Sequence, residues 1–203
     1  MVEEFLDDTK LIPVPKPLAN QLRLLAGRMG VSVSNITTEA LEQVIRADEL
    51  NSSVKEAVDI LHMAQVHKGA GLVTFQRTGI KDLIKRLYAE DSEGLLNIWY
   101  RAGRWYAAYL SNRLNGDFFN FFEKDLLVSW NLDESDIIVE DVVVHVRLTS
   151  FGMSQEFTDL LVVYTKGFFE ELGYSVSEED VLAGLVSFEL LKKDVKFTSI
   201  KQK

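Results

Sequence analysis

Apolar and polar positions along this chain follow two rhythms, and the change between them divides it. Leu18, Leu22, Leu25, Ala26 and Met29 recur at helical spacing, and Gly30 stands where a C-terminal glycine ends a helix. Ile36, Ala40, Leu41, Val44 and Ile45 repeat that rhythm, with Ser32 and Ser34 as rival N-caps. Ahead of both helices, Thr9 to Val14 is a short β-like run closed by Pro15 and Pro17. Asn51 to Ser53 reads as a break and a new cap. The helix it starts carries Val54, Ala57, Val58, Leu61 and Ala64 on one face, and Lys68 to Gly71 ends it at the best domain boundary.

Beyond that boundary the pattern predicts a mixed fold. GLVTF, from Gly71 to Phe75, reads as a strand, and Thr78 as the cap of a helix containing Ile80, Leu83, Ile84 and Leu87. Leu95, Trp99, Ala102, Tyr106 and Leu110 form one stripe of the next helix, with Arg101 and Arg104 on the opposite side. Gly103 and Ala107 let another element approach its backbone. Phe118, Phe119, Phe121, Phe122 and Trp130 add further rings. Alternation from Ile137 to Leu148 predicts a half-buried strand with His145 on its less apolar face. Phe157 to Leu172 is helical up to Gly173, and Val181–Leu190 with Val195–Ile200 reads as a hairpin around Lys192, Lys193 and Asp194.

Composition narrows the chemistry. The chain has no cysteine, which removes disulfides, thiolate zinc sites and cysteine nucleophiles. The histidines, His62, His67 and His145, sit in unrelated contexts, and His62 and His67 are spaced onto different helix faces, so neither a triad nor a metal pair is expected. Charges interrupt every apolar run, so no membrane span is expected, and the acidic start does not read as a signal peptide. A cytoplasmic location is the default. The net charge of −9 opposes broad adhesion to nucleic acid or anionic lipid but leaves room for a local contact surface. Neither a catalytic constellation nor a cofactor motif emerges, so an enzyme is not the expectation.

Strand, helix, glycine, serine pair and helix follow one another in VPKPLANQLRLLAGRMGVSVSNITTEALEQVI, which resembles the ribbon-helix-helix fold of small dimeric repressors. The matching positions are Val14, Leu22, Ala26, Gly30, Ser32, Ser34, Ile36, Ala40 and Leu41. The resemblance implies that two chains pair their strands into a ribbon that enters the major groove of DNA. A two-helix unit of this size also cannot bury its apolar faces alone. Thr9, Lys10, Leu11, Pro13 and Lys16 on the strand, with Ser32, Val33 and Ser34 at the second helix, are the candidate DNA contacts. Groove-facing residues of that family are polar or basic. Here Leu11 and Pro13 take those positions and cannot make bidentate base contacts, unless the register slips by one and turns Lys10 outward.

YRAGRWYAAYL, DVVVHVRLTSFGMSQEF, VVYTKGFFEELG and VKFTSI together resemble the four-vinyl-reductase-type ligand-binding domain, related to haem–nitric-oxide sensors and vesicle-tethering subunits. Gly103 matches the first small residue of that signature helix, and Ala107 stands where the second is usually glycine. The resemblance implies ligand binding without catalysis. The family's late cysteines are replaced by residues such as Ser187 and Val195, which argues against a metal or haem role. The candidate ligand residues are Trp99, Tyr100, Gly103, Tyr106, Phe118 and Phe122, lining an apolar pocket for a fatty or planar molecule; an aromatic core without a pocket is the competing reading.

The expected class is α+β: a dimeric ribbon-helix-helix module over residues 1–50, a connector helix over 51–68, and an α+β ligand-binding domain with an antiparallel sheet over 69–203. Two functions fit. One is a ligand-responsive transcriptional regulator of bacterial or archaeal type that binds double-stranded DNA as a homodimer. The other is a dimeric interaction or acyl-carrier module that does not bind DNA.

Overall fold

The computed structural model describes residues 10–114 and 116–193. Among these, six helices and a four-stranded antiparallel sheet make an α+β fold. The helices are α1 (Lys16–Met29), α2 (Val33–Glu49), α3 (Val54–Ala70), α4 (Arg77–Arg113), α5 (Phe118–Ser129) and α6 (Gln155–Glu171). The strands are β1 (Glu134–Glu140), β2 (Val143–Thr149), β3 (Tyr174–Leu182) and β4 (Leu185–Lys192). The chain divides into two compact units inside α3: one ends at His62 and the next begins at Met63. Lys68 to Gly71 closes α3, with Gly71 in the left-handed region at φ 69°.

Local chemistry sets the bounds of the first three helices. Pro17 lies in the first turn of α1, where a missing N–H costs nothing. Gly30, at φ 68°, ends that helix while Val31 N–H reaches back to the Ala26 carbonyl at 3.2 Å. Ser32, not Ser34, caps α2: its hydroxyl oxygen accepts from Asn35 N–H at 3.0 Å. A reciprocal box starts α3. Ser53 N–H donates to Glu56 Oε2 at 2.8 Å, and Glu56 N–H donates to Ser53 Oγ at 3.1 Å. The Ser52 hydroxyl joins the same carboxylate, and these bonds hold Glu56 below the usual carboxylate range, Ser52 contributing most.

The first unit buries little of itself. Within α1 and α2 the buried residues are Ala26 and Ala47, whereas Leu18, Leu24, Leu41, Val44 and Ile45 are exposed. Lys10 to Pro15 forms no strand in the single chain; Thr9, where the strand is expected to begin, lies outside the described residues. A lone extended segment has no neighbour to take up its backbone N–H and C=O groups, so this run shows no ladder of its own.

The second unit is a helical layer against one face of the sheet. Strand order is β1-β2-β4-β3, with α6 connecting β2 to β3. Val144, Val146 and Leu148 on β2 and Val186, Phe188 and Leu190 on β4 point inward and are buried. His145, between Ile138 and Glu189 in the register, faces out. The β3–β4 turn is locked down: Ser150 N–H donates to Gly184 O at 2.8 Å, and Gly184 N–H donates to the buried Thr158 Oγ1 at 2.9 Å.

Several elements depart from the pattern reading. Residues 71–75 are not a strand; Val73 and Phe75 lie exposed with no sheet edge beside them. Helix α4 starts at Arg77 behind Gln76, so Thr78 is not its cap. It joins the two expected helices across a kink at Asp91 (φ −153°, ψ 77°), whose carboxylate caps the second segment by accepting from Gly94 N–H at 2.8 Å. The single strand expected over 137–148 is a hairpin, β1 and β2, turned at Asp141 with φ 31°. The single strand expected over Val181–Leu190 is broken by a turn at Ala183–Gly184, with Gly184 at φ 77°, and the expected hairpin around Lys192 to Asp194 runs into residues outside the described ones. A glycine supplies that backbone geometry without strain. The expected strand Val195–Ile200 lies outside the described residues.

Candidate functional site

In the first unit, the candidate DNA contacts lie on exposed chain. Lys10, Leu11, Pro13 and Lys16 are exposed, and so are Ser32, Val33 and Ser34 at the start of α2. The free N–H groups of that helix's first turn give it a partial positive charge that suits a phosphate oxygen. Charge is divided between the two helices. The ionic side chains of α1 are the basic Lys16, Arg23 and Arg28, while α2 carries Glu39, Glu42, Asp48 and Glu49 against Arg46. A groove of about 620 Å³ runs along α1, lined by Leu18, Gln21, Leu22, Leu24, Leu25 and Arg28.

In the second unit, everything is built around the crossing of α4 and α6. Gly103 faces the backbone of α6, where a Cβ would strike the Tyr164 carbonyl well inside the 3.0 Å that real Cβ atoms keep. Gly167 answers from the other helix, its missing Cβ replaced by the Tyr100 carbonyl. The two glycines bring the helices into backbone contact. Polar pairs then fasten the outer edge: Tyr88 Oη donates to Asp159 at 2.5 Å, Tyr100 Oη donates to Glu170 at 2.5 Å, and Arg104 pairs with Glu171 at 2.6 Å. Both phenols titrate above their ordinary value, chiefly because of those carboxylate bonds. Arg104 and Arg101 are both exposed, and Arg104 is tied to α6 through Glu171.

Beneath the crossing lies a ring cluster with a polar centre. Phe122 stacks on Phe168 with centroids 3.5 Å apart, and Tyr106 leans on Phe122, Tyr109 and Tyr164. Asp125, on α5, is only 2% exposed. Its Oδ1 lies 2.6 Å from His67 Nε2 at the end of α3 and accepts from Ser129 Oγ at 2.5 Å. The Tyr106 hydroxyl is buried beside the Asp125 carboxylate, whose charge bears on it. Burial first, and then that carboxylate, push the Tyr106 and Tyr164 phenols well above their ordinary value and keep them protonated.

The candidate ligand residues fall in three places. Gly103, Tyr106 and Phe122 meet at the crossing. Trp99 packs into a smaller cluster with Ile84, Leu95 and Leu160, and Tyr100 turns outward to Glu170. Phe118 sits half-buried against Phe119, centroids 4.5 Å apart. At two of these positions neighbouring protein atoms are close: the Tyr164 carbonyl at Gly103 and the Phe168 ring at Phe122. Asp125 and Tyr164 complete the constellation and were not singled out by pattern; His67 was weighed only as half of a metal pair, and Gly167 entered only as the glycine of the helix quoted for the family resemblance. An acid and a serine one turn apart, Asp125 and Ser129, in a helix as apolar as FFNFFEKDLLVS were the available signal. Among the described residues no cluster of three or more metal-binding side chains forms, and no helix is long and apolar enough to cross a membrane.

No protein-family model matches the chain, and no curated protein does. One solved structure, described as "Probing the function of heme distortion in the H-NOX family", is similar over 68% of this chain and 88% of its own. The TM-score is 0.37 and the identity 12%. At that similarity nothing about a bound group or a signalling role passes to this chain.

Proposed function

We propose that the chain is a dimeric, ligand-responsive transcriptional regulator of the cytoplasm, with its first unit the DNA-binding part and its second the sensor. The observation that carries the reading is the first unit's uncovered apolar surface: a helix pair that buries Ala26 and Ala47 is incomplete without a partner. A second copy fits chemically, because the basic α1 of one chain complements the acidic α2 of the other. In such a pair the extended Lys10–Val14 segments have each other to bond with. DNA affinity then comes from phosphates held at the start of α2, around Ser32, Val33 and Ser34, with help from Lys10 and Lys16. In the sensor, the rings around Tyr106 and Phe122 offer stacking surface for an apolar or planar small molecule, and the buried Tyr106 hydroxyl beside Asp125 offers a polar anchor. Binding there requires Phe122 and Phe168 to part, so ligand and conformation are linked.

A second reading has its own support. Leu11 and Pro13, both exposed on the would-be ribbon, cannot read bases, which favours a dimeric interaction or carrier module that leaves DNA alone. Fluorescence-anisotropy titration of duplex DNA across salt separates the two. The regulator should bind weakly with a steep salt slope, and reversing Lys10 and Lys16 to Glu should reduce that slope by about one unit for each phosphate no longer neutralised. Equal slopes, or no binding at low salt, would favour the interaction module.

A further inference from the structure

Within the second unit, α4 turns a further aromatic surface outward, away from its crossing with α6. Gly103, Ala107 and Leu110 are buried on the crossing side, and Trp105 lies opposite them, 52% exposed. Its indole stacks on the Tyr109 ring, with centroids 5.5 Å apart and planes within 10° of parallel. Tyr109 is held in place, since its hydroxyl donates to the Val66 carbonyl at 3.2 Å and its ring rests on Tyr106. Four residues of helix rise about 6 Å, so the two rings are stacked along the axis and the other face of the indole looks back toward Arg101. No further ring meets that face among the described residues.

Charge along this stretch runs against the rest of the chain. Leu95 to Gly116 contains no acid, yet it holds Arg101, Arg104 and Arg113 in a protein of net charge −9. Arg104 is tied to Glu171. Arg101 and Arg113 are exposed, one turn before Trp105 and one turn after Tyr109, and neither makes an ion pair among the described residues. A rigid ring stack between two such guanidiniums suits a ligand that alternates flat faces with negative charges. We propose that this face of α4 binds single-stranded nucleic acid, with one base on the open side of Trp105 and phosphates at Arg101 and Arg113. A duplex keeps its bases in its own stack and has none to offer the indole. An anionic membrane would meet the edge of the ring and leave its open face idle, so the stack favours a base. The site lies in the second unit and depends neither on dimerisation nor on duplex binding by the first.

Fluorescence anisotropy of a labelled oligothymidylate, titrated with the full-length protein from low salt upward, tests this. The wild type should bind, and Trp105→Leu should weaken binding by about tenfold or more, the value of one lost base stack. Arg101→Gln should lower the slope of log affinity against log salt by about 0.7, the share of one single-strand phosphate. Arg101 is exposed, so its variant keeps the fold even where Trp105→Leu loosens Tyr109, and circular dichroism checks both. A duplex run in parallel should respond to neither substitution, because its affinity belongs to the first unit. Absence of oligothymidylate binding, or binding unchanged in both variants, would overturn the α4 site and leave the duplex reading standing. Equal losses on the duplex would overturn the single-strand preference. Capture of phosphatidylserine vesicles that Trp105→Leu abolishes, with the oligonucleotide unbound, would give the face to a membrane instead.

Discussion

Gly103→Ala should cost the second unit about 3 kcal/mol or more, enough to unfold a marginal domain. The new methyl lands on the Tyr164 carbonyl oxygen, which belongs to a helix backbone and cannot turn aside as a side chain could. Relief requires α4 and α6 to separate, and that separation strains the stacked Phe122 and Phe168 and the outer pairs of Tyr100 with Glu170 and Arg104 with Glu171. Gly167→Ala should behave alike, since its Cβ meets the Tyr100 carbonyl from the other side. The double variant should cost less than the two singles together, because a crossing already forced apart accommodates the second methyl. Gly79→Ala, in α4 of the same unit, supplies the contrast. It is helical and has nothing within 4 Å of its Cβ, so alanine should stabilise it by about 0.5 kcal/mol. Urea unfolding followed by tryptophan fluorescence reads the second unit alone, since Trp99, Trp105 and Trp130 all lie there. A Gly103→Ala midpoint at the wild-type value would contradict the crossing.

The next largest effect is expected at His67. Replacing it with alanine takes away the partner that lies 2.6 Å from the buried Asp125 carboxyl, and removing one side of such a pair costs roughly 3 kcal/mol. His67 is 20% exposed, so water entering its place limits the loss to the lower end of the range. Replacing both residues with leucine should recover a good part of it, because no polar group is then stranded. The same urea titration measures the double variant beside His67→Leu and Asp125→Leu. A double variant that loses as much as the sum of the singles would show that the pair is not coupled.

These two sites mark where reading from the chain stopped. Signals contained within a few residues transferred well: Gly30 as the stop of α1, the Asn51–Ser53 break that proved a capping box with Glu56, and the helix ending at Gly173. Alternation from Val144 to Leu148 likewise placed His145 outward. What period alone does not carry is the identity of a distant partner. Gly103 advertised a close approach, but that the approaching backbone would be Tyr164, answered by Gly167, depends on how α6 returns across the sheet. Asp125 looked like one more acid on a helix until α3 brought His67 to it. GLVTF has strand composition and no strand beside it, which is a matter of topology. The kink at Asp91 hid the continuity of α4, since two amphipathic segments of different phase look like two helices.

Regulator and interaction module alike require the first unit to be completed by a second copy of the chain. Sedimentation equilibrium of the full-length protein at low micromolar concentration tests this most directly, with Leu22→Asp beside it. Leu22 lies in the α1 groove, so a carboxylate there is placed in the shared apolar layer. The wild type should sediment as a dimer. Leu22→Asp should sediment as a monomer whose first unit has lost helical circular dichroism while the tryptophan signal of the second persists. A wild type that is monomeric and fully helical would contradict the dimer and both functions built on it.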